Sequence, residues 1–280
     1  AYDAPQYANT QYPWEGREDI RPGEIPEHFN PVASYVKYFC VPERMKGKRL
    51  FISFQGAESG MAVWVNGAFV GYSEDTFTPS DFELTDYVRE GENKLAVQVF
   101  KWTSGSWCED QDFYRFSGLY RDVYLYTVPE VHIRDLRIRA IPDETLEKAE
   151  LELCTRTWGT GKAKIVLSYH GEVCFQEEKE LNGEEAFTWE IDQPVLWSAE
   201  EPNLYDLTIT VIDAEGAVME IIPEKVGFRR FEMKDCIMTL NGKRIVFKGV
   251  NRHEFSSVSG RHVSEEELRK DIMIMKQNNI

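Results

Sequence analysis

Residues 244–250, from Arg244 through Ile245, Val246 and Phe247 to Val250, read as one strand apolar on both faces, and a capped helix from Ser264 to about Asn278 follows. A strand of that kind belongs in a parallel sheet, where neighbouring strands pair its backbone and helices cover its faces. One strand and one helix cannot supply such a sheet. Ile280 reads as the opening of a further strand, so the segment is expected to be the first step of a larger domain and the chain a fragment. Ser264 and Glu267 have capping-box spacing, Glu265 and Glu266 suit the positive helix N-terminus, and Leu268, Ile272 and Met275 share one face. Strand followed by helix is the repeat unit of a (β/α)8 barrel, a unit that other α/β folds share.

Upstream the pattern is β throughout. Residues 1–30 carry Pro5, Pro13, Trp14, Pro22 and Pro26 with no period of 2 or 3.6, which predicts an extended arm. From Ala33 alternation begins: Ser34 to Val41, then Leu50 to Phe54, then Met61–Val65 and Ala68–Tyr72 on either side of Asn66-Gly67. Asn-Gly accepts the positive φ values of a type I′ hairpin turn. Lys94–Phe100 and Tyr120–Tyr126 complete the set, and Pro129 marks the exit. Many short strands at this spacing predict a jelly roll over 1–129 with its N-terminal arm. Strands expected at about 131–140, 149–157, 163–170, 185–191 and 204–212 predict an immunoglobulin-like sandwich over 130–227, with turns at Gly159–Gly161, Gly171, Asn182-Gly183 and Gly216. Residues 228–280 are then the start of a truncated barrel domain: Ile237–Leu240, an Asn241-Gly242 turn, and strand 244–250.

The net charge of −16 argues against nucleic acid and anionic membrane as partners, since both call for a basic surface. Cys40, Cys108, Cys154, Cys174 and Cys236 form no C-x-x-C pair and lie at no metal-ligand spacing with a His, as expected for reduced thiols in the cytoplasm. The sequence shows no membrane span and no signal peptide, although its first residue is Ala1 rather than Met.

Three places could carry chemistry. Arg252, His253 and Glu254 stand at the C-terminal end of the expected barrel strand, where barrel enzymes place functional groups; equally, they could tie the loop down. The loop from Trp102 to Gly118 holds Glu109, Asp110 and Asp112 among Trp107, Phe113, Tyr114 and Phe116. Carboxylates accept hydrogen bonds from sugar hydroxyls, rings stack on sugar faces, and hard cations take carboxylate ligands; a solvated acidic loop with inward rings is the competing reading. Glu58, between two strands, reads alone as a turn residue. Glycosidic hydrolysis needs two placed carboxyl groups, and no pair here convincingly supplies both.

The chain closely resembles the N-terminal part of the large bacterial β-galactosidases of glycoside hydrolase family 2. The resemblance spans nearly all of it: Tyr2 to Pro5, Trp64 to Gly67 with Val70 to Tyr72, Glu109 to Asp112, Ser117 to Val123, Leu196 to Glu200 with Pro202 to Tyr205, Val226 to Arg229, Leu240 to Lys243, and Gly249 to Glu254. It implies a jelly-roll sugar-binding domain, an immunoglobulin-like domain and a (β/α)8 barrel, acting together as a retaining hydrolase of β-D-galactosides such as lactose. Both catalytic Glu residues would lie beyond Ile280, leaving this chain alone inactive. Asp112 matches the family carboxylate that contacts the galactosyl hydroxyls and helps hold a monovalent cation, Na+ or K+. His253 matches the His near the transition state. Glu58 aligns with a sugar-contacting Asn and is a departure. Ser104 replaces an Asp of a magnesium site, so Mg2+ remains for the complete enzyme only and no cofactor is expected in residues 1–280. The complete protein is expected to be a homo-oligomer. A non-catalytic carbohydrate-binding module is the alternative.

Overall fold

The computed structural model describes residues 6–24 and 26–280, so the Tyr2–Pro5 match lies outside the described residues. The chain forms two compact units, residues 1–128 with 249–280, and residues 129–248. Residues 228–248 group with the second unit, and 249–280 with the first.

In chain order the first unit holds β1 (Gln6–Ala8), β2 (Val32–Cys40), β3 (Arg49–Phe54), β4 (Ala57–Glu58), β5 (Gly60–Val65), β6 (Ala68–Ser73), β7 (Ser80–Glu83), β8 (Glu92–Phe100), helix α1 (Ser106–Glu109), β9 (Phe113–Arg115), β10 (Gly118–Leu119) and β11 (Val123–Val128). One sheet runs β2-β8-β5-β6 and the other β11-β3-β7, all antiparallel. Between them lie Leu50, Ile52 and Phe54 from one sheet, and Met61, Val63, Val65, Val97 and Val99 from the other. This is the jelly-roll core, and its alternation follows the two-residue side-chain period of a strand. The β5–β6 hairpin turns on Asn66 at φ 53° and Gly67 at φ 89°, as the Asn-Gly pair predicts. The wholly buried Asn93 locks this end, accepting from Asn66 Nδ2 at 2.8 Å and from the Arg89 amide at 2.8 Å.

The second unit follows as β12 (His132–Pro142), β13 (Lys148–Tyr169), β14 (Glu172–Asp192), β15 (Tyr205–Ile212), β16 (Val218–Val226), β17 (Phe231–Lys234), β18 (Ile237–Leu240) and β19 (Lys243–Arg244). The expected strands 149–157 and 163–170 are one long strand. Its first half pairs with β12 and the end of β14, its second half with the start of β14 and with β15. Gly159 and Gly161 are therefore a bend within β13, not a turn. A Cβ on Gly161 would sit 2.3 Å from the Ile212 carbonyl oxygen, and one on Gly159 2.6 Å from that of Glu130. Only glycine allows the backbone so close. Asn182-Gly183 likewise lies inside β14, and β16 is a strand the sequence pattern did not reveal. Leu151, Leu153, Ile165, Leu167, Leu207, Ile209 and Phe228 fill the immunoglobulin-like core.

Two expectations about the end of the chain fare differently. Strand 244–250 is absent: only Lys243–Arg244 pair, and Val246, Phe247 and Val250 are exposed. No parallel neighbour exists for them among the described residues, and an apolar run cannot hold an extended ladder alone. Helix α2 (Glu265–Gln277) does form. Ser264 Oγ accepts from the Glu267 amide at 3.3 Å and Glu267 Oε2 accepts from the Ser264 amide at 2.9 Å, closing the capping box.

Candidate functional site

The site grows from strand β9, which pairs antiparallel with β1 and sets Tyr7 opposite Tyr114. Asp112 immediately precedes β9 with φ at 51°, a left-handed conformation that Asp tolerates better than most residues. Its exposed carboxylate accepts a hydrogen bond from the Tyr7 hydroxyl, which raises the phenol's pKa because the bond to a carboxylate favours the protonated form.

Next along β9, the Phe113 ring lies 5.4 Å from the exposed His253 imidazole. Tyr114 packs on Phe255 at 4.3 Å and on Tyr7 at 5.2 Å. Of the three residues expected to contact a ligand, His253 packs against Phe113, and Asp112 directly precedes that residue in the chain. Their neighbours at the expected strand end tie the loop down. Arg252 holds Asp271 of α2 at 2.6 Å, and Glu254 accepts from Arg121 at 3.3 Å.

Glu58 behaves differently from the expectation of a sugar contact. It is 8% exposed, and both oxygens are engaged: Arg261 Nε donates to Oε2 at 2.8 Å and a terminal nitrogen of Arg261 to Oε1 at 3.0 Å. A buried carboxylate without that partner would pay a desolvation cost of several kcal/mol. The Arg261 guanidinium is stacked among Phe113, Phe116, Phe77 and Tyr120, 4.6 to 5.9 Å from the ring centroids. Sequence reasoning missed Arg261, because an Arg in a Ser-Gly-rich turn looks like a surface residue.

A second buried pair lies beside the first. Asp110 Oδ2 and Arg115 Nε are 2.6 Å apart, both inaccessible, but the N–H does not point at the oxygen. The contact is therefore Coulombic rather than an aligned hydrogen bond. Burial pushes the Asp110 carboxyl up to about 6, even though Arg115 pulls the other way. The cavity between the two pairs, lined by Glu58, Ser59, Ser106, Asp110 and Arg115 among others, has a volume of about 20 Å³, room for roughly one water.

Ser104 donates to Glu74 at 2.7 Å, and Tyr72 donates to the other Glu74 oxygen at 2.8 Å. Partial burial opposes ionisation of Glu74, but hydrogen bonds from Ser104 and Tyr72 outweigh it and hold the pKa below the usual value. The nearby Glu109 is raised, by burial first and then by the charges of Asp75, Glu74 and Glu58. Among the described residues no group of three His, Cys, Asp or Glu side chains could hold a metal ion. The five cysteines are free thiols. Among the described residues no helix is long and apolar enough to cross a membrane.

The first unit is a jelly-roll β-sandwich that carries a carboxylate, an imidazole and clustered rings together. Residues 1–129 match the family model for the sugar binding domain of Glycosyl hydrolases family 2, residues 131–229 the model named Glycosyl hydrolases family 2, and residues 231–280 that family's TIM barrel domain. The chain belongs to glycosyl hydrolase family 2. It is 50% identical to a β-galactosidase of Halalkalibacterium halodurans and 50% identical to one of Streptococcus thermophilus, in each case over 100% of this chain and 28% of the relative. It is 41% identical to the β-galactosidase large subunit of Leuconostoc lactis, over 100% of this chain and 47% of that subunit. The chain thus spans well under two thirds of these curated relatives. Among solved structures, a β-glucuronidase of Bifidobacterium dentium superposes with a TM-score of 0.77 over 97% of this chain and 54% of that one, at 22% identity, a likeness of fold.

Proposed function

We propose that this chain is the sugar-holding leading part of a retaining β-galactosidase acting in the cytoplasm on terminal β-D-galactosides such as lactose. The observation that carries the reading is that the exposed His253 packs on Phe113, the residue that directly follows the exposed Asp112. An exposed carboxylate and an imidazole can accept from and donate to vicinal hydroxyls, while the rings of Phe113 and Tyr114 offer an apolar face. Asp112 and His253 orient the galactosyl hydroxyls and stabilise charge as the ring becomes oxocarbenium-like. The two reacting carboxyls come from barrel residues outside these 280, so the chain alone does not hydrolyse a galactoside. Asp112 offers one carboxylate to Na+ or K+, with the remaining ligands supplied from outside the chain. At Ser104 the nearby Glu74 carboxylate is already engaged by two hydroxyls, which disfavours Mg2+ there. The domain division at about 129/130 and 227/228, and homo-oligomerisation of the complete protein, belong to the same proposal.

Asp112→Ala in the complete enzyme is expected to lower kcat by about 100-fold or more, the loss typical of a displaced transition-state contact. Wild-type kcat in that variant would defeat the reading. The alternative is a self-sufficient carbohydrate-binding module. Calorimetry of the 280-residue chain with galactose separates the two: heat of binding supports the module, and its absence supports a pocket completed by the barrel.

A further inference from the structure

We propose that Arg261 is a positioning residue for the sugar-holding surface, with Glu58 as its counter-ion rather than a sugar ligand. This rests on the reading of Asp112 and His253 given above. One guanidinium joins three pieces of chain that are far apart in sequence. Its two donors fix Glu58 on β4 at 2.8 and 3.0 Å, and a third contact reaches the Tyr114 carbonyl on β9 at 3.4 Å. Arg261 itself closes the loop that begins at His253, through the Ser256–Gly260 bridge.

The planar face matters as much as the charge. Phe113 lies against Arg261 at 4.6 Å and against His253 at 5.4 Å, so a single ring carries the position of the guanidinium to the imidazole. Asp112 is bonded directly to that ring's residue. Gly260 fits beneath Phe116, where a Cβ would come within 3.1 Å, so the loop cannot shift without moving the same aromatic cluster. Arg261 is 6% exposed and reaches no open surface, which excludes it as a ligand contact. A flat cation with five donors suits this role; a lysine ammonium has neither the plane nor the fork.

Glu58 supplies what the site needs to keep a guanidinium in place. It explains why a carboxylate stands at a position where the family resemblance expects an amide that touches sugar. The amide would be free to face a ligand; the carboxylate is turned to the cation and used up by it.

The test is a double-mutant cycle in the complete galactosidase, read with a nitrophenyl galactoside. Displacing catalytic contacts by an ångström or less costs one to two decades in rate, so Arg261→Met is expected to lower kcat about 30-fold with KM within about threefold. Arg261→Lys, which keeps the charge, should lose at least about tenfold. Phe113→Leu should lose a similar amount, and the double variant Arg261→Met/Phe113→Leu no more than Arg261→Met alone, because both act through one ring. Glu58→Gln should lower kcat about threefold to tenfold and leave KM within about twofold, as a weakened anchor and not a lost ligand. If Arg261→Met fails to fold, Arg261→Lys carries the same cycle.

A second readout is independent of turnover. The ring-proton resonances of His253, which sit beside Phe113, should move in Arg261→Lys and stay in place in a surface variant such as Lys94→Met. The proposal is overturned if the Arg261 variants keep kcat within about threefold while Asp112→Ala loses it, if their effects multiply with Phe113→Leu, or if the His253 resonances do not move. Wild-type kcat in Asp112→Ala with displaced His253 resonances in Arg261→Lys would instead sink the galactosidase reading and keep the positioning role.

Discussion

The two compact units solve burial in opposite ways. In the second, residues 129–248, the buried polar side chains among the described residues are two threonines, Thr155 and Thr157. The rest of its interior is Leu, Ile, Val and aromatic, laid down by strict alternation along β13 and β15. The first unit buries Glu58, Asp110, Arg115, Arg261 and Asn93 along with several hydroxyls. Apolar burial is enough to stabilise a sandwich, so charge kept inside at a desolvation cost needs another reason. Here the buried charges all lie next to the loop that carries Asp112 and the segment that carries His253. The second unit's interior is almost wholly apolar; the first keeps ion pairs inside at a desolvation cost, as the proposed positioning role requires.

The largest test of that contrast is Arg115→Met. It leaves Asp110 buried with its cation gone, and breaking a buried pair from one side is expected to cost about 3–5 kcal/mol at neutral pH, read by denaturant unfolding. A loss under about 1 kcal/mol would mean water reaches Asp110 and the interior is not dry. Leu207→Ala in the second unit is the matched apolar deletion. Leu207 is 1% exposed within the core, so about 2–5 kcal/mol is expected from lost transfer energy and the cavity left behind. Its cost should not vary with pH, whereas that of Arg115→Met should shrink in acid as Asp110 protonates.

Asp110 gives the pH dependence its sign. Its folded pKa of about 6 lies above the unfolded value of 3.8, so between those values the folded state binds the extra proton. Stability from this group is therefore present at low pH and is lost as pH rises from about 4 to 6, by up to roughly 3 kcal/mol. Other carboxylates, Glu74 and Glu18 among them, are lowered and act oppositely, so the measurement is a difference. Asp110→Asn should flatten the fall between pH 4 and 6 relative to wild type. An unchanged slope would remove burial of Asp110 as its cause.

How much of this was legible in sequence depends on whether the signal was local. The β5–β6 hairpin and the Ser264 capping box are decided by two to four neighbouring residues, and both were readable. Strand β13 was cut in two because Gly159 and Gly161 look like turn residues, and only the second half of β14, after Gly183, was expected; what keeps β13 extended is close approach to Glu130 and Ile212, a tertiary fact. The 244–250 run failed as a strand for the reverse reason: local propensity was strong, and beyond Arg244 no strand pairs with it among the described residues. At the site, Asp112 and His253 were named through family resemblance, and the packing of His253 on Phe113, next to Asp112, was not visible along the chain. Arg261 escaped altogether, since 203 residues separate it from Glu58 and no periodicity links them.

The smallest predicted effect bears on the scaffold's own exception. Thr155 sits on β13 at 5% exposure, and its hydroxyl has no hydrogen-bond partner among the described residues. A buried hydroxyl that has left water without a partner is a net cost, and valine keeps the branched shape that suits a strand. Thr155→Val should therefore stabilise the second unit by about 1 kcal/mol. The matching change in the first unit, Ser106→Ala, removes a hydroxyl that meets Ser59 at 2.9 Å and the Thr103 amide at 3.0 Å, and should destabilise by about 1–2 kcal/mol. Opposite signs for two buried hydroxyl deletions would show that polarity is incidental in one interior and required in the other. Destabilisation by Thr155→Val would instead mean that an internal water serves that hydroxyl, and that the second unit is less purely apolar than its side chains make it.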